Sequence, residues 1–200
     1  MERIIKASTN EGGIVLDPFC GCGTAVVVAN KLKRRWIGID ITHLAMYLVE
    51  QRLQDSFGKS VRDSYEIHGN PYDVASAHAL WNKSKKEFEL WALSLVGARP
   101  RPRDVGVDGL LGFVDEGKKT KTVIVQVKGG ETLTPSIVRD LIGTVQEEGA
   151  AIGLLITLHK PTSGMVANAI HAGFYKSALW NKSYPRIQIR TISELLVEGK

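Results

Sequence analysis

Residues 14–24 read Ile-Val-Leu-Asp-Pro-Phe-Cys-Gly-Cys-Gly-Thr, a short apolar run that breaks into a turn built on Asp17, Pro18, Gly21 and Gly23. A glycine-rich turn after a strand lets backbone N–H groups approach a ligand at the mouth of the next helix. The residue ending the following strand can then hold a ribose hydroxyl. Residues 24–32 are small or β-branched and suit a helix packed closely on a sheet. Residues 36–40 read as a second strand and 44–53 as a helix with apolar positions at helical spacing. This order is one parallel unit of a doubly wound sheet. It stops near Gly58, leaving an edge and an apolar face that something must cover. The glycine pattern alone also fits a tight turn in any α/β protein.

With 200 residues, the chain has room for one ordinary domain, or a compact domain with a partial one attached. Its 44% hydrophobic and 24% charged residues exclude a disordered tail. A formal charge of +5 favours a polyanionic partner without specifying one. No apolar run approaches membrane-spanning length. Cys20 and Cys22 are the only cysteines, too close for an unstrained disulfide and too few for a structural zinc site. Small reduced thiols in a turn fit a cytoplasmic protein that does not engage a membrane.

Residues 58–77, with Gly58, Gly69, Asn70, Pro71 and little periodicity, read as a linker between a unit at 1–57 and another at 78–200. In the second, 85–96 looks helical, with Phe88, Trp91, Ala92 and Leu95 on one side. Residues 97–107 read as a basic turn holding Arg99, Arg101 and Arg103. Strands at 109–114 and 122–128 flank a polar loop that includes Lys118, Lys119 and Lys121. Thr134 and Pro135 resemble a cap and first turn for a helix to about Glu148. Residues 151–158 form an apolar, central strand; 163–172 a helix; 187–190 a strand; 192–197 a closing helix. The hexapeptide Ala-Leu-Trp-Asn-Lys-Ser occurs at 79–84 and again at 178–183, without flanks that would support a duplication.

Gln126 and Lys128 stand two apart on the expected strand and so share a face, opposite Val125 and Val127. Asp108 heads the neighbouring strand after Gly106 and Val107. In a hairpin, the Asp108 carboxylate and Gln126 amide oxygen could approach one Mg²⁺, an ion suited by hard oxygen ligands. Lys128 would position water or stabilise charge on a phosphoryl group. Glu89, with Glu87 near it, could add a ligand or orient water. The plain alternative is a set of surface residues at a strand end. Asp104 reads as a loop residue. The arginine segment could contact phosphates or be a solvated loop. His43, His68, His78, His159 and His171 lack ligand spacing, and Trp81 and Trp180 suit packing or an interface better than base stacking.

Asp17-Pro18-Phe19-Cys20-Gly21-Cys22-Gly23-Thr24, followed by Arg34-Arg35-Trp36-Ile37-Gly38-Ile39-Asp40-Ile41, closely resembles the cofactor motif of DNA amino-methyltransferases that modify adenine N6 or cytosine N4. The resemblance implies a partial Rossmann-like unit binding S-adenosyl-L-methionine, with Asp17, Phe19, Gly21 and Gly23 lining the cofactor and Asp40 on its ribose. Residues 2–10 resemble the end of the helix before this loop. In that motif order the catalytic Asp/Asn-Pro-Pro-Tyr/Trp segment lies upstream. No Asn-Pro-Pro or Asp-Pro-Pro triplet occurs here; Asn70-Pro71-Tyr72 lacks a proline and lies on the wrong side of the loop. That segment holds the flipped base, so methyl transfer by this chain alone is not expected.

Gly106-Val107-Asp108-Gly109 with Ile124-Val125-Gln126-Val127-Lys128 resembles the Mrr-type branch of restriction-endonuclease-like nucleases, where Gln replaces the usual acid. Residues 90–98 and 184–189 resemble a domain found behind such methyltransferase ends. The resemblance implies an α/β nuclease domain acting on double-stranded DNA, with Asp108, Gln126, Lys128 and Glu89 catalytic and Asp108 and Gln126 on Mg²⁺. The leading expectation is therefore a restriction–modification-type protein carrying a metal-dependent endonuclease domain. The rivals are a split methyltransferase completed by a chain carrying the missing half, and a non-catalytic DNA-binding remnant. A homodimer is compatible with each.

Overall fold

A computed structural model describes residues 1–104, 106–115, 117 and 119–198, apart from the side chains of 102–104 and 198. The expectations for the side chains of Arg103 and Asp104, and for Lys118, lie outside the described residues. The chain forms two compact units, Met1–Asn70 and Pro71–Lys200.

The first unit begins with helix α1 (Glu2–Ser8) and continues through β1 (Ile14–Asp17), α2 (Thr24–Lys31), β2 (Arg35–Gly38) and α3 (His43–Phe57). β1 and β2 pair in parallel, with Val15 beside Trp36 and Leu16 beside Ile37. Alternate strand residues point to opposite faces, and one face packs Trp36 with Val26, Val49 and Leu53 into a small core. Thr42 caps α3 by accepting from the Ala45 N–H at 3.2 Å.

The expected linker at 58–77 is ordered structure at both ends. Lys59–Ser64 is a 3-10 turn that buries Val61 in the first core. Tyr65 follows, its ring centroid 5.7 Å from that of Trp36. Its hydroxyl donates to Glu50 at 3.3 Å, and burial and the Glu50 charge push it up to about 12. Helix α4 (Val74–Lys83) starts the second unit through a capping box in which Asp73 and Ser76 exchange hydrogen bonds. Short motifs of Gly, Asn and Pro around 69–71 masked that start.

Helix α5 (Lys85–Leu95) is followed by β3 (Arg99–Asp104), β4 (Val107–Asp115), β5 (Lys119–Lys128), α6 (Pro135–Glu147), β6 (Ile152–Thr157), α7 (Ser163–His171), β7 (Phe174–Ser177), β8 (Lys182–Pro185), β9 (Ile187–Thr191) and α8 (Ile192–Glu198). The main sheet is mixed, in the order β3-β4-β5-β6-β9. β3, β4 and β5 run antiparallel, while β5, β6 and β9 run parallel. β6 is an interior strand between β5 and β9, with all six residues buried, as its uninterrupted apolar sequence predicts. One face carries Phe88, Trp91 and Leu93 of α5 against Val125, Val127 and Ile156. The other packs Val138 and Leu141 of α6 and Met165 of α7 against Ile124 and Leu155. Truncating Trp91 or Phe88, both fully buried, would cost about 3–5 kcal/mol.

Three local expectations change. The basic segment expected as a turn is the edge strand β3, where Pro100 opposite Gly109 is tolerated because an edge residue needs no outward N–H partner. Thr134 precedes α6 with Pro135 in its first turn, but its side chain makes no cap; its hydroxyl pairs with that of Ser136 at 2.7 Å. The hairpin β7–β8 was not foreseen, because its strands are short and polar. It is held by Asp115, only 1% exposed, which accepts from the Tyr175 hydroxyl, from the Ser177 hydroxyl at 2.8 Å and from the Leu179 N–H at 2.9 Å.

Candidate functional site

In the second unit, an open cleft of about 410 Å³ lies at the carboxyl end of β5. Asp108, Glu89 and Lys128 line it together with Trp81, Lys85 and Lys86. Asp108 Oδ2 accepts from the Val127 backbone N–H at 2.7 Å, which ties the carboxylate to the neighbouring strand. Glu89 reaches the cleft from α5 and is ion-paired with Lys86, one turn away on the same face. Lys128 closes β5, its carbonyl accepting from the Leu158 N–H at 3.0 Å. Three ammonium groups and two carboxylates thus line one concavity, a balance that favours a phosphate.

Gln126 does not line that cleft. It is 5% exposed, and its Nε2 donates to the Gly106 carbonyl at 2.9 Å, holding the turn that leads into Asp108. Its Oε1 is buried without a hydrogen-bond partner, an uncommon and costly state. Side-chain identity at position 126 was legible in the sequence; the direction of its amide was not.

Trp81 was expected as a packing or interface residue, and it does pack, edge-on to Phe88 with centroids 5.4 Å apart. It also forms a wall of the cleft. Its ring lies on the backbone of Gly129, where any Cβ would sit 2.4 Å from Trp81 Cε3. Lys85 Nζ stands 5.4 Å from the same ring centroid. The signal for this contact was the Gly129-Gly130 pair directly after Lys128, a place for close backbone approach. Arg99 is exposed, whereas Arg101 is paired with Glu148 at 2.9 Å. His78 and His159 meet edge-on, centroids 4.9 Å apart, and His43 Nδ1 lies 3.0 Å from Asn70 Oδ1.

Among the described residues, no group of three or more His, Cys, Asp or Glu side chains could hold a metal ion. The side-chain carboxylates on the cleft are those of Asp108 and Glu89, whereas the unpartnered Gln126 Oε1 is buried outside its lining. That pair of carboxylates suits Mg²⁺ if water and phosphate complete its shell.

The first unit builds a second, separate site at the carboxyl ends of β1 and β2. Gly21 and Gly23 adopt positive φ of 48° and 77°, a region that glycine enters freely. A Cβ on Gly23 would approach Val49 Cγ2 of α3 to 2.8 Å. Asp17 Oδ1 accepts from the Phe19 N–H at 3.3 Å. Asp40 Oδ2 accepts from the Gly21 N–H at 3.0 Å, while Oδ1 accepts from the Thr42 N–H and hydroxyl, each at 3.0 Å. Partial burial pushes the Asp40 carboxyl up, but these hydrogen bonds outweigh it and hold the group below its ordinary value. Asp40 therefore clamps the glycine loop; Oδ1 already accepts two donors, so room for a further one lies at Oδ2. Phe19 is 88% exposed at the loop's rim.

The second unit is a mixed-sheet α/β domain with a carboxylate–lysine cleft, and the first is a strand–glycine loop–helix–strand unit. Residues 1–51 match the family model of DNA methylases of the N6/N4 type, and residues 84–180 match the Mrr-type model of restriction endonucleases. The chain thus carries a DNA-methyltransferase segment joined to a restriction-endonuclease-like domain, and both parts are related to restriction–modification proteins.

Among curated proteins, it is 52% identical over 54 residues to the type II methyltransferase M2.DpnII of Streptococcus pneumoniae, covering 27% of this chain and 20% of that one. It is 44% identical over 88 residues to the type II methyltransferase M.BamHI of Bacillus amyloliquefaciens, covering 40% of this chain and 20% of that one. A probable type III restriction-modification enzyme Mod subunit, HindVI of Haemophilus influenzae, is 43% identical over 54 residues, covering 27% and 7%. The chain spans about a fifth of the length of the first of these relatives. No solved structure matches it significantly. Among the described residues, no helix is long and apolar enough to cross a membrane.

Proposed function

We propose that the second unit is a Mg²⁺-dependent DNA endonuclease domain of a cytoplasmic restriction–modification protein, acting on double-stranded DNA. The observation that carries this reading is the shared cleft of Asp108, Glu89 and Lys128, within a segment that matches restriction endonucleases. Asp108 and Glu89 are the residues that would hold Mg²⁺, and Gln126, buried outside the cleft lining, would join them only if its amide turned toward the ion. The ion, when bound, lowers the pKa of a coordinated water and offsets charge on the phosphoryl oxygens.

Asp108 is held in orientation by the Val127 N–H, so its other oxygen stays free to face the cleft. Lys128 donates to the attacking water or to a non-bridging phosphate oxygen, where negative charge grows as the new P–O bond forms and the old one breaks. Gln126 keeps the Gly106 turn, and with it Asp108, in register. Lys85 and Lys86 attract the duplex backbone, a sequence-independent and salt-sensitive contribution.

The test is cleavage of methylated and unmethylated duplex DNA with and without Mg²⁺, comparing the wild type with Lys128→Ala. Loss of cutting with DNA binding retained supports the reading. A wild type that cuts no DNA under any of these conditions overturns it.

For the first unit we propose a Rossmann-like, S-adenosyl-L-methionine-binding unit spanning residues 1–57, with Asp17, Phe19, Gly21 and Gly23 on the cofactor and Asp40 on its ribose. This half works as one part of a methyltransferase whose base-binding segment a companion chain supplies. What supports this second reading is that no Asn-Pro-Pro or Asp-Pro-Pro triplet, the base-binding segment that the resemblance implies, occurs in these 200 residues. Titrating the cofactor onto the chain by calorimetry tests the loop. Methylation of DNA by the 200-residue chain alone would refute the need for a companion.

A further inference from the structure

Among the described residues, the buried side-chain oxygens without a hydrogen-bond partner are Gln126 Oε1 and Thr157 Oγ1. Thr157 is fully buried and Gln126 is 5% exposed. A buried oxygen that accepts from no donor has lost its hydration without compensation, so such atoms are rare in a folded core. The sheet brings these two together. Gln126 is the register partner of Leu155, and Lys128 that of Thr157. Side chains alternate along a strand: Val125, Val127 and Ile156 pack on the α5 side. Gln126, Lys128 and Thr157 therefore share the opposite face with Ile124 and Leu155, which pack with residues of α6 and α7. Lys128 is half-buried where β5 ends, and it also lines the cleft. It stands beside both oxygens, one strand spacing (~4.8 Å) from Thr157 and two residues (~6.6 Å) from Gln126, backbone to backbone.

A lysine ammonium carries three N–H donors and no acceptor, whereas an amide oxygen and a hydroxyl oxygen both accept. The unbranched stem of Lys128 can fold back over this face without any movement of the backbone. Hydrogen bonds from an ammonium are stronger than those between neutral groups. We propose that Thr157 is a positioning residue for Lys128: its hydroxyl, together with the Gln126 amide oxygen, accepts from the Lys128 ammonium and steadies it at the inner end of the cleft. One N–H is left to face water or a phosphate oxygen. The catalytic consequence rests on the reading of the cleft as a nuclease site; the pairing itself rests on the strand register and the two unpartnered oxygens. A cation held by Asp108 and Glu89 does not account for Thr157. Asp108 belongs to β4 and Thr157 to β6, on opposite sides of β5.

The experiment uses the full chain without metal or DNA. It is briefly acetylated with an N-hydroxysuccinimide ester, and the extent at each lysine is read by mass spectrometry. Acetylation needs the amine lone pair, which a held ammonium withholds. Lys119, exposed at the opposite end of β5, is the internal reference. Thr157→Val keeps the branched shape and removes the hydroxyl. The Lys128-to-Lys119 ratio should rise about tenfold with the loss of one hydrogen bond to a charged group, and Thr157→Ser should return it to the wild-type value. An unchanged ratio in Thr157→Val overturns the proposal and assigns the hydroxyl to packing alone. An equal rise in Thr157→Val and Thr157→Ser also overturns it, since loosened packing then explains both. Should Thr157→Val fail to fold, Thr157→Ala takes its place under the same criteria. In Mg²⁺-dependent cleavage, Thr157→Val should lower kcat about tenfold with KM for duplex DNA unchanged. A wild type that cuts no DNA refutes the nuclease reading, while a hydroxyl-dependent ratio in the same preparation still upholds the pairing. Cleavage by a wild type whose ratio ignores the hydroxyl does the reverse.

Discussion

The carboxylate of Asp108 accepts a hydrogen bond at 2.7 Å from the backbone N–H of Val127, the residue between Gln126 and Lys128. Through this bond a side chain of β4 ties to the backbone of β5 beyond the Gly109–Val125 pair, and an acid lines the same cleft as the lysine that ends β5. The two strand ends cannot shift independently without breaking it.

Asp108→Asn keeps an oxygen for the Val127 N–H and removes the charge. Cleavage should fall about 10²–10³-fold, with the unfolding midpoint in denaturant nearly unchanged. Asp108→Ala should lose as much activity and also about 1–3 kcal/mol of stability, because a backbone donor is left unpaired. Equal stability of the two variants would show that the bond does not hold the strand ends.

Gly129→Ala places a methyl group against Trp81 Cε3 at 2.4 Å. A destabilisation of about 1–3 kcal/mol is expected, with loss of cleavage if the end of β5 shifts. Adding Trp81→Ala should relieve much of the strain, so a double-mutant cycle in urea should show strong coupling. Additive effects would separate Trp81 from the geometry at Lys128.

Asp115→Ala removes the buried acceptor of Tyr175, Ser177 and Leu179. The expected loss is about 1–3 kcal/mol for each buried donor left unpaired, and amides of the β7–β8 hairpin should lose exchange protection. Hydrogen exchange that leaves the hairpin unchanged would contradict this role.

Asp40 is held below its ordinary carboxyl value, so the folded state favours its ionised form. Its contribution is fully present above the unfolded value near 3.8 and is lost as pH falls through the folded value. The wild-type glycine loop should therefore loosen in acid below about pH 4, read by exchange at the Gly21 and Thr42 amides. Asp40→Asn should be looser at pH 7 and show a flatter response in that acid window.

Much of the sheet was readable before any coordinates. β6 is apolar without interruption because both its faces are covered, and the polar residues between the apolar runs of β4 and β5 marked their turn. The hairpin was expected to bring Asp108 to Gln126; in the structure Asp108 shares a cleft with Lys128, and Gln126 does not line it. The turning of Gln126 toward Gly106 was not legible, since alternation places a side chain on a face without saying which neighbour it meets. Lys85 and Lys86 were missed because charged residues at the start of a helix look solvated until a strand end stands opposite them.

The repeated hexapeptide marks the boundary between the two kinds of information. At 79–84 it closes helix α4 and Ser84 caps α5, with Trp81 seated on Gly129. At 178–183 it forms the turn of the β7–β8 hairpin and the start of β8, with Asn181 at φ 48° and Trp180 62% exposed. The sequence alone determined the glycine loop, the apolar central strand and the two family resemblances, all of which rest on short-range pattern and residue type. Tertiary structure decided the rest: a capping box and a helical partner drew one copy into a helix, and the buried carboxylate of Asp115 drew the other into a turn. Six residues carry too little intrinsic preference to resist contacts of that strength.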